Sequence, residues 1–252
     1  MHRNLQSAGT ALVTGADRGL GLSLTKRLAA SGWRVFAGSY LSDWPELPQL
    51  ALAYPETVIR IDLDISSDAS VHLAAAKIGR RTNSLDLIVN NAAVSTPLND
   101  RGIHEAQDYD DLMRLFNVNA LGMLRVTTAF LPLTANSALK RLCFVSSEAG
   151  SISNCGRQAW YGYCMSKAAL NMGVMQLFHA LRPQGYTFRL FHPGWMRTYM
   201  SGKKNDQAAL EPDDVAASAL NYFLSGRGQT SEGRDDEDRL IMRDWRGREW
   251  PW

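Results

Sequence analysis

The chain has 252 residues, 45% of them hydrophobic and 21% charged, with a formal net charge of +2. That length suits one α/β domain with a cofactor site built into it, and the composition is that of an ordinary globular protein. A near-neutral balance with scattered basic residues gives no reason to expect nucleic acid or a membrane surface as partner. Cys143, Cys155 and Cys164 are too few and too widely spaced for a disulfide framework, and no Cys/His cluster offers a metal site. Cys143 lies in an apolar run and reads as a small buried hydrophobe. Residues 1–8 read as a tail without the apolar core of a signal peptide, and no apolar stretch is long enough to cross a bilayer. A cytoplasmic setting is the expectation.

In chain order, a β-rich run at 10–14 leads through a glycine loop into a helical stretch at 20–30, where Leu20, Leu24 and Leu28 share a face and Gly32 is a stop signal. Further β-rich runs follow at 34–37 and 58–61. Residues 64–67 read as a loop that feeds a helix over 69–78. A strand at 85–89 precedes a long helix over 108–130. A strand at 141–145 precedes a helix over 167–181, and a last strand spans 187–191. Pro212, Asp213 and Asp214 mark another helix start, where acidic residues suit the dipole. Residues 225–238 are polar and glycine-rich and read as a surface loop. Several strands are almost continuously apolar, as strands buried on both faces should be. Strand and helix in alternation predict a single α/β domain built on a doubly wound parallel sheet with helices on both faces.

The first strand runs into Thr14-Gly15-Ala16-Asp17-Arg18-Gly19-Leu20-Gly21. Glycines there allow a tight turn and close approach to a pyrophosphate, and the following helix N-terminus favours negative charge. The second strand ends Ala37-Gly38-Ser39-Tyr40, without the acid that would take a ribose 2′-hydroxyl. Arg18 lies within the loop, where a guanidinium could meet a 2′-phosphate. Both features favour NADP(H) over NAD(H). Further along, Tyr163 and Lys167 stand at i and i+4, on one helix face. A nearby ammonium favours the phenolate, and a tyrosine so tuned can exchange a proton with a carbonyl oxygen. Tyr161 does not share that spacing and reads as pocket wall or core.

The glycine loop, Tyr163 and Lys167 together resemble the short-chain dehydrogenase/reductase family, and further signatures appear in the family's order from residue 10 to about residue 223. Asn90-Asn91-Ala92-Ala93 is similar to the family's N-N-A-G, with alanine in place of the last glycine. Val145-Ser146-Ser147-Glu148-Ala149-Gly150 is similar to the motif that carries the catalytic serine. Ser147 is the choice there, with Ser146 and Ser151 as alternatives because the gap to Tyr163 is longer than the commonest spacing. His192-Pro193-Gly194-Trp195-Met196-Arg197-Thr198 is similar to the segment at the carboxamide end of the cofactor. The closing residues 241–252 resemble carbonyl-reductase-like and signalling-factor-like members.

The resemblance implies a Rossmann-like fold and an NAD(P)-dependent oxidoreductase that reduces a carbonyl or oxidises the matching alcohol. It implies Tyr163 as general acid or base, tuned by Lys167, with Ser147 on the carbonyl oxygen and Asn119 holding a proton relay. Cofactor contacts are implied for Gly15, Asp17, Arg18, Gly19, Leu20, Gly21, Ser39, Asp64, Ile65, Asn91, Ala92, Ala93, Tyr163, Lys167, Pro193, Gly194, Met196 and Thr198. No metal is required. His192 reads as a packed or hydrogen-bonded loop residue rather than a proton donor. The variable segments 93–104, 151–161 and 195–204 carry Trp160, Tyr161, Trp195, Tyr199 and Met200, which suggests an apolar or aromatic substrate. A homodimer or homotetramer through helices 108–130 and 167–181 is implied. A non-catalytic dinucleotide-binding regulator or redox sensor is the rival reading, and epimerase or dehydratase chemistry a third. The intact Asn119, Ser147, Tyr163 and Lys167 set favours an oxidoreductase.

Overall fold

The computed structural model describes residues 8–200, 202–226 and 237–252. Of the expected tail, residues 1–7 lie outside these, as do residues 227–236 of the expected polar loop. The strands are β1 (Thr10–Val13), β2 (Arg34–Ser39), β3 (Val58–Asp62), β4 (Leu87–Asn90), β5 (Arg141–Val145), β6 (Thr187–His192), β7 (Met242–Asp244) and β8 (Glu249–Trp250). They form one sheet in the order β3-β2-β1-β4-β5-β6-β7-β8, parallel except for the last pair. The helices are α1 (Gly19–Ala30), α2 (Glu46–Ala53), α3 (Asp68–Gly79), α4 (Tyr109–Phe116), α5 (Gly122–Thr134), α6 (Tyr161–Leu181) and α7 (Pro212–Phe223). After β3 the chain crosses from one side of β1 to the other, which opens a crevice at the carboxyl ends of β1 and β4.

Side-chain alternation along the strands divides the core between the two faces. Leu12, Phe36, Ile88, Leu142, Phe144 and Leu190 pack with residues of α3, α5 and α6. Ala11, Val13, Val35, Val89, Cys143 and Phe191 pack with residues of α1, α2 and α7. Because both faces are covered, both alternating sets must be apolar, which is why the strands read as continuous hydrophobic runs. Cys143 is fully buried, as its apolar neighbourhood suggests.

Local chemistry fixes the helix starts. The Ser67 hydroxyl accepts the Ser70 N–H at 3.3 Å and caps α3. The Asp108 carboxylate accepts the Asp111 N–H at 3.1 Å and caps α4. The single helix expected over 108–130 is interrupted: a π-turn over Asn117–Leu121 joins α4 to α5. The helix expected from residue 167 starts instead at Tyr161. Three elements were not foreseen. α2 buries only Leu47, and β7 and β8 are too short to show a period.

The closing segment is tied to the sheet by a buried ion cluster. Glu237 lies 2.7 Å from Arg189 of β6 and 3.5 Å from Arg141 of β5, and all three side chains are buried. Arg141 also donates to the Phe223 carbonyl at 2.6 Å and Arg189 to the Ser225 carbonyl at 3.1 Å. Guanidinium forks buried this way are tolerable only while paired. We therefore expect Glu237→Gln to cost about 3–5 kcal/mol in urea unfolding. A cost below about 1 kcal/mol, the range of an exposed pair, would contradict it.

Candidate active site

β1 delivers the glycine loop to the crevice. Gly15 and Gly19 hold φ of +63° and +57°, a region that L side chains rarely adopt. A Cβ on Gly21 would lie 2.1 Å from the Gly15 carbonyl oxygen, so the helix start could not pack on the loop with any other residue there. The loop is locked to the end of β4. The Thr14 hydroxyl accepts the N–H groups of Asn91 and Ala92, each at 3.0 Å. Asn91 Nδ2 donates to the carbonyls of Thr14 and Gly15 at 2.9 and 3.2 Å. α1 starts without a side-chain cap and without an acid in its first turn. Its positive end is thus left for an anion, and the loop fits the pyrophosphate of a dinucleotide.

Asp17 and Ser39 meet each other: the Ser39 hydroxyl donates to Asp17 Oδ1 at 2.6 Å, and the Leu41 N–H donates to the same atom at 3.1 Å. This buried pair holds the end of β2 against the glycine loop. Arg18 stacks over Trp44, 4.6 Å from the ring centroid, with Tyr199 at 5.9 Å. The partner rings come from the loop after β2 and the segment after β6. Thr198 of that segment lies against Gly19. Asp64 turns its carboxylate to Ser66, whose N–H and hydroxyl donate at 2.8 and 2.6 Å. Ile65 is buried against Gly122.

The end of β5 and the start of α6 carry the candidate reacting groups. Ser147 follows β5 and caps a one-turn 3₁₀ segment, Glu148–Gly150. Its hydroxyl accepts the Ala149 N–H at 3.1 Å, and its side chain is near enough to the Tyr163 phenol to favour the charged form. The two alternatives face elsewhere: the Ser146 hydroxyl donates to Asn171 at 2.6 Å, and that of Ser151 to the Pro251 carbonyl at 2.6 Å. Tyr163 is 7% exposed and Lys167 2%. Lys167 Nζ lies 5.9 Å from the Tyr163 ring centroid and donates to the Val145 carbonyl at 3.1 Å. Burial lowers the Lys167 ammonium to about 8. Burial also pushes the Tyr163 phenol up to about 12, against a smaller lowering by the Ser147 side chain. The lowering expected from Lys167 is not among the effects on Tyr163: desolvation dominates, and the ammonium is turned to the Val145 carbonyl.

Asn119 sits on the π-turn, where an inserted residue re-aims side chains. Its Oδ1 accepts the Val94 N–H at 2.9 Å, and its Nδ2 donates to the Val94 carbonyl and the Ser166 hydroxyl, each at 3.0 Å. It thereby joins the loop after β4 to α6. Sequence reasoning missed a second layer. Arg157 forms a bidentate pair with Glu148 at 2.6 and 2.8 Å and lies over the Trp160 ring. Trp160 donates to Asp100 at 2.7 Å and meets Tyr163 edge-on at 6.0 Å. Trp160 adopts φ +68°, strain that its backbone bond to the Asn99 carbonyl and these contacts hold in place. No helical or strand period signals that network, since Arg157 and Trp160 lie in the irregular segment before α6 and Asp100 is 60 residues from Trp160.

Among the described residues, no cluster of three or more His, Cys, Asp or Glu side chains is gathered as for a metal, and no helix is long and apolar enough to cross a membrane.

Lys167 yields a stability prediction. A base whose folded-state value lies below its ordinary 10.5 opposes folding most below pH 8, and the penalty fades as pH rises from 8 to 10.5. Lys167→Met should therefore raise stability at pH 7, by up to on the order of 3 kcal/mol, while turnover is lost. In urea melts the advantage should shrink between pH 8 and 10.5; a constant difference over that range would refute this account.

Comparison with known proteins agrees with this fold. The sequence profile of the short chain dehydrogenase family matches residues 9–209. The C-signal of Myxococcus xanthus is 38% identical over 174 residues, covering 68% of this chain and 95% of that protein. The 1-hydroxy-2-glutathionyl-2-methyl-3-butene dehydrogenase of Rhodococcus sp. strain AD45 is 30% identical over 231 residues, covering 89% and 97%. Among solved structures, an NADPH-bound carbonyl reductase from chicken fatty liver superposes with a TM-score of 0.84 at 27% identity, covering 98% of this chain and 100% of that one. The chain belongs to the short-chain dehydrogenase/reductase family and is an NAD(P)-dependent oxidoreductase.

Proposed function

We propose that the chain reduces the carbonyl group of an apolar or aromatic small molecule with NADPH, or oxidises the matching alcohol. The observation that carries this reading is the buried Tyr163 with Lys167 Nζ 5.9 Å from its ring, and with the Ser147 side chain near enough to act on its phenol. A carbonyl oxygen that accepts from both hydroxyls is polarised, and those bonds strengthen as negative charge develops on it. The nicotinamide, when bound, supplies the hydride to the carbonyl carbon. Tyr163 then gives its proton to the alkoxide, a stronger base than a phenolate, so the transfer runs downhill even from a phenol near 12. Lys167 supplies a positive charge 5.9 Å from the ring on which the phenolate is left. Asn119 acts by fixing Val94 and Ser166 around these groups. Oxidation runs through the same atoms in reverse.

Arg18 supports the choice of NADPH. Its guanidinium lies over the Trp44 ring with Tyr199 nearby, at the mouth of the glycine loop, where its N–H groups could meet a 2′-phosphate. Asp17 Oδ1 is engaged by Ser39 and Leu41, so this acid serves to hold the end of β2 to the glycine loop. The remaining contacts, from Gly15, Gly19, Leu20, Gly21, Asp64, Ile65, Asn91, Ala92, Ala93, Pro193, Gly194, Met196 and Thr198, border the same crevice in this reading. Exposed Ile103, Ile152, Trp195 and Met200 come from the loops after β4, β5 and β6 and favour an apolar substrate. The free thiols Cys143, Cys155 and Cys164 suit a reducing, cytoplasmic setting.

Fluorescence titration with NADPH and NADH tests the cofactor, and Tyr163→Phe tests the chemistry. Arg18→Ala should weaken NADPH roughly 10–100-fold and NADH little. Tyr163→Phe should keep NADPH binding and lose roughly 10²–10⁴-fold in turnover. Binding of neither nucleotide by the folded protein would overturn the reading. Exposed Met113, Leu121, Leu124, Met165 and Met172 on α4 to α6 favour a homo-oligomer; a monomer at micromolar concentration in sedimentation would exclude it.

A further inference from the structure

His192 ends β6, and the reaction proposed above makes no use of it. Its Nδ1 accepts the Glu148 N–H at 3.1 Å and the Gly194 N–H at 3.4 Å. A nitrogen that accepts from two amides carries no proton, so the ring is neutral, and burial agrees by holding it down at about 4. Glu148 directly follows Ser147, and Gly194 opens the turn toward Met196 and Thr198. One ring atom therefore ties together the loops at the carboxyl ends of β5 and β6.

The ring itself is held by the closing segment. Trp245 meets it edge-on at 5.4 Å, and Trp250 lies at 5.1 Å, tilted by 56°. Pro251 accepts the Ser151 hydroxyl at 2.6 Å, so the same segment also grips the far side of the turn that Ser147 caps. Gly194 is pressed against Trp245, which a Cβ would approach to 2.8 Å. Simple packing would need only an apolar ring of this size. A ring aimed at two backbone amides is more specific than that.

We propose that His192, braced by Trp245 and Trp250, is a positioning residue that fixes the Ser147 hydroxyl beside Tyr163 through the Glu148 amide. The inference rests on the oxidoreductase reading for its effect on turnover, whereas its structural core can be read without turnover. Asparagine places an acceptor oxygen at the same bond distance from Cα as Nδ1, and leucine keeps much of the volume without an acceptor.

The test compares wild type, His192→Asn, His192→Leu and Trp250→Leu. Two quantities are measured: hydrogen exchange at the Glu148 amide by NMR, and kcat and KM with NADPH and 4-nitrobenzaldehyde. In His192→Leu the Glu148 amide should exchange roughly tenfold faster and kcat fall roughly tenfold, with KM for NADPH little changed. His192→Asn should restore both to within about threefold of wild type, and Trp250→Leu should shift both in the leucine direction by a smaller factor. A folded His192→Leu with unchanged Glu148 protection overturns the proposal, as does His192→Asn that behaves no better than leucine. If His192→Leu does not fold, the Asn and Trp250 variants decide by the same criteria. Absence of wild-type NADPH binding and turnover would sink the oxidoreductase reading instead, and the exchange measurement would still decide the positioning.

Discussion

The site depends on how closely α6 lies against the end of β5. A Cβ on Gly150 would sit 2.8 Å from the carbonyl of Lys167, so the turn after β5 touches the helix backbone itself. That contact brings Ser147 to Tyr163 and puts Lys167 where its ammonium reaches the Val145 carbonyl. Gly162 does the same on the other side, where a Cβ would meet Leu112 of α4 at 2.5 Å. With no space for side chains at these crossings, the reacting groups are buried together, and burial sets their chemistry. It holds the lysine low and the tyrosine high.

Polar groups taken out of water must be satisfied, and the fold does this by letting each one join two elements. Asn119 joins the loop after β4 to α6. Asn91 and Thr14 join β4 to the glycine loop. His192 joins the ends of β5 and β6. Each satisfies a desolvated amide, hydroxyl or carbonyl and at the same time fixes a distance across the crevice. The cleft is thus made rigid where the chemistry is proposed. Its outer rim instead carries exposed apolar side chains such as Ile152 and Trp195.

Much of the architecture was legible along the chain. The strands buried on both faces showed as apolar runs, and the glycine loop announced a phosphate seat by composition. Tyr163 and Lys167 were visible because helical spacing is local. Ser147, chosen over Ser146 and Ser151, is the serine whose side chain acts on the Tyr163 phenol, whereas the other two turn to Asn171 and Pro251. The π-turn under Asn119 was not legible, because one inserted residue leaves the apolar pattern of a long helix almost unchanged. Nor were the pairing of Arg157 with Glu148, the stacking of Arg18 on Trp44, or the bracing of His192 by the last tryptophans.

The sequence by itself determined the layer order, the glycine turn after β1 and the helical pairing of Tyr163 with Lys167, since each is written in residues a few positions apart, where backbone geometry alone decides what shares a face. The tertiary structure decided which serine faces the tyrosine and what Arg18 and His192 touch, along with the sign of the shift on Tyr163. These depend on desolvation and on contacts between segments up to about a hundred residues apart, as between Ser151 and Pro251. Such distances are fixed only when the sheet has brought the strand ends together.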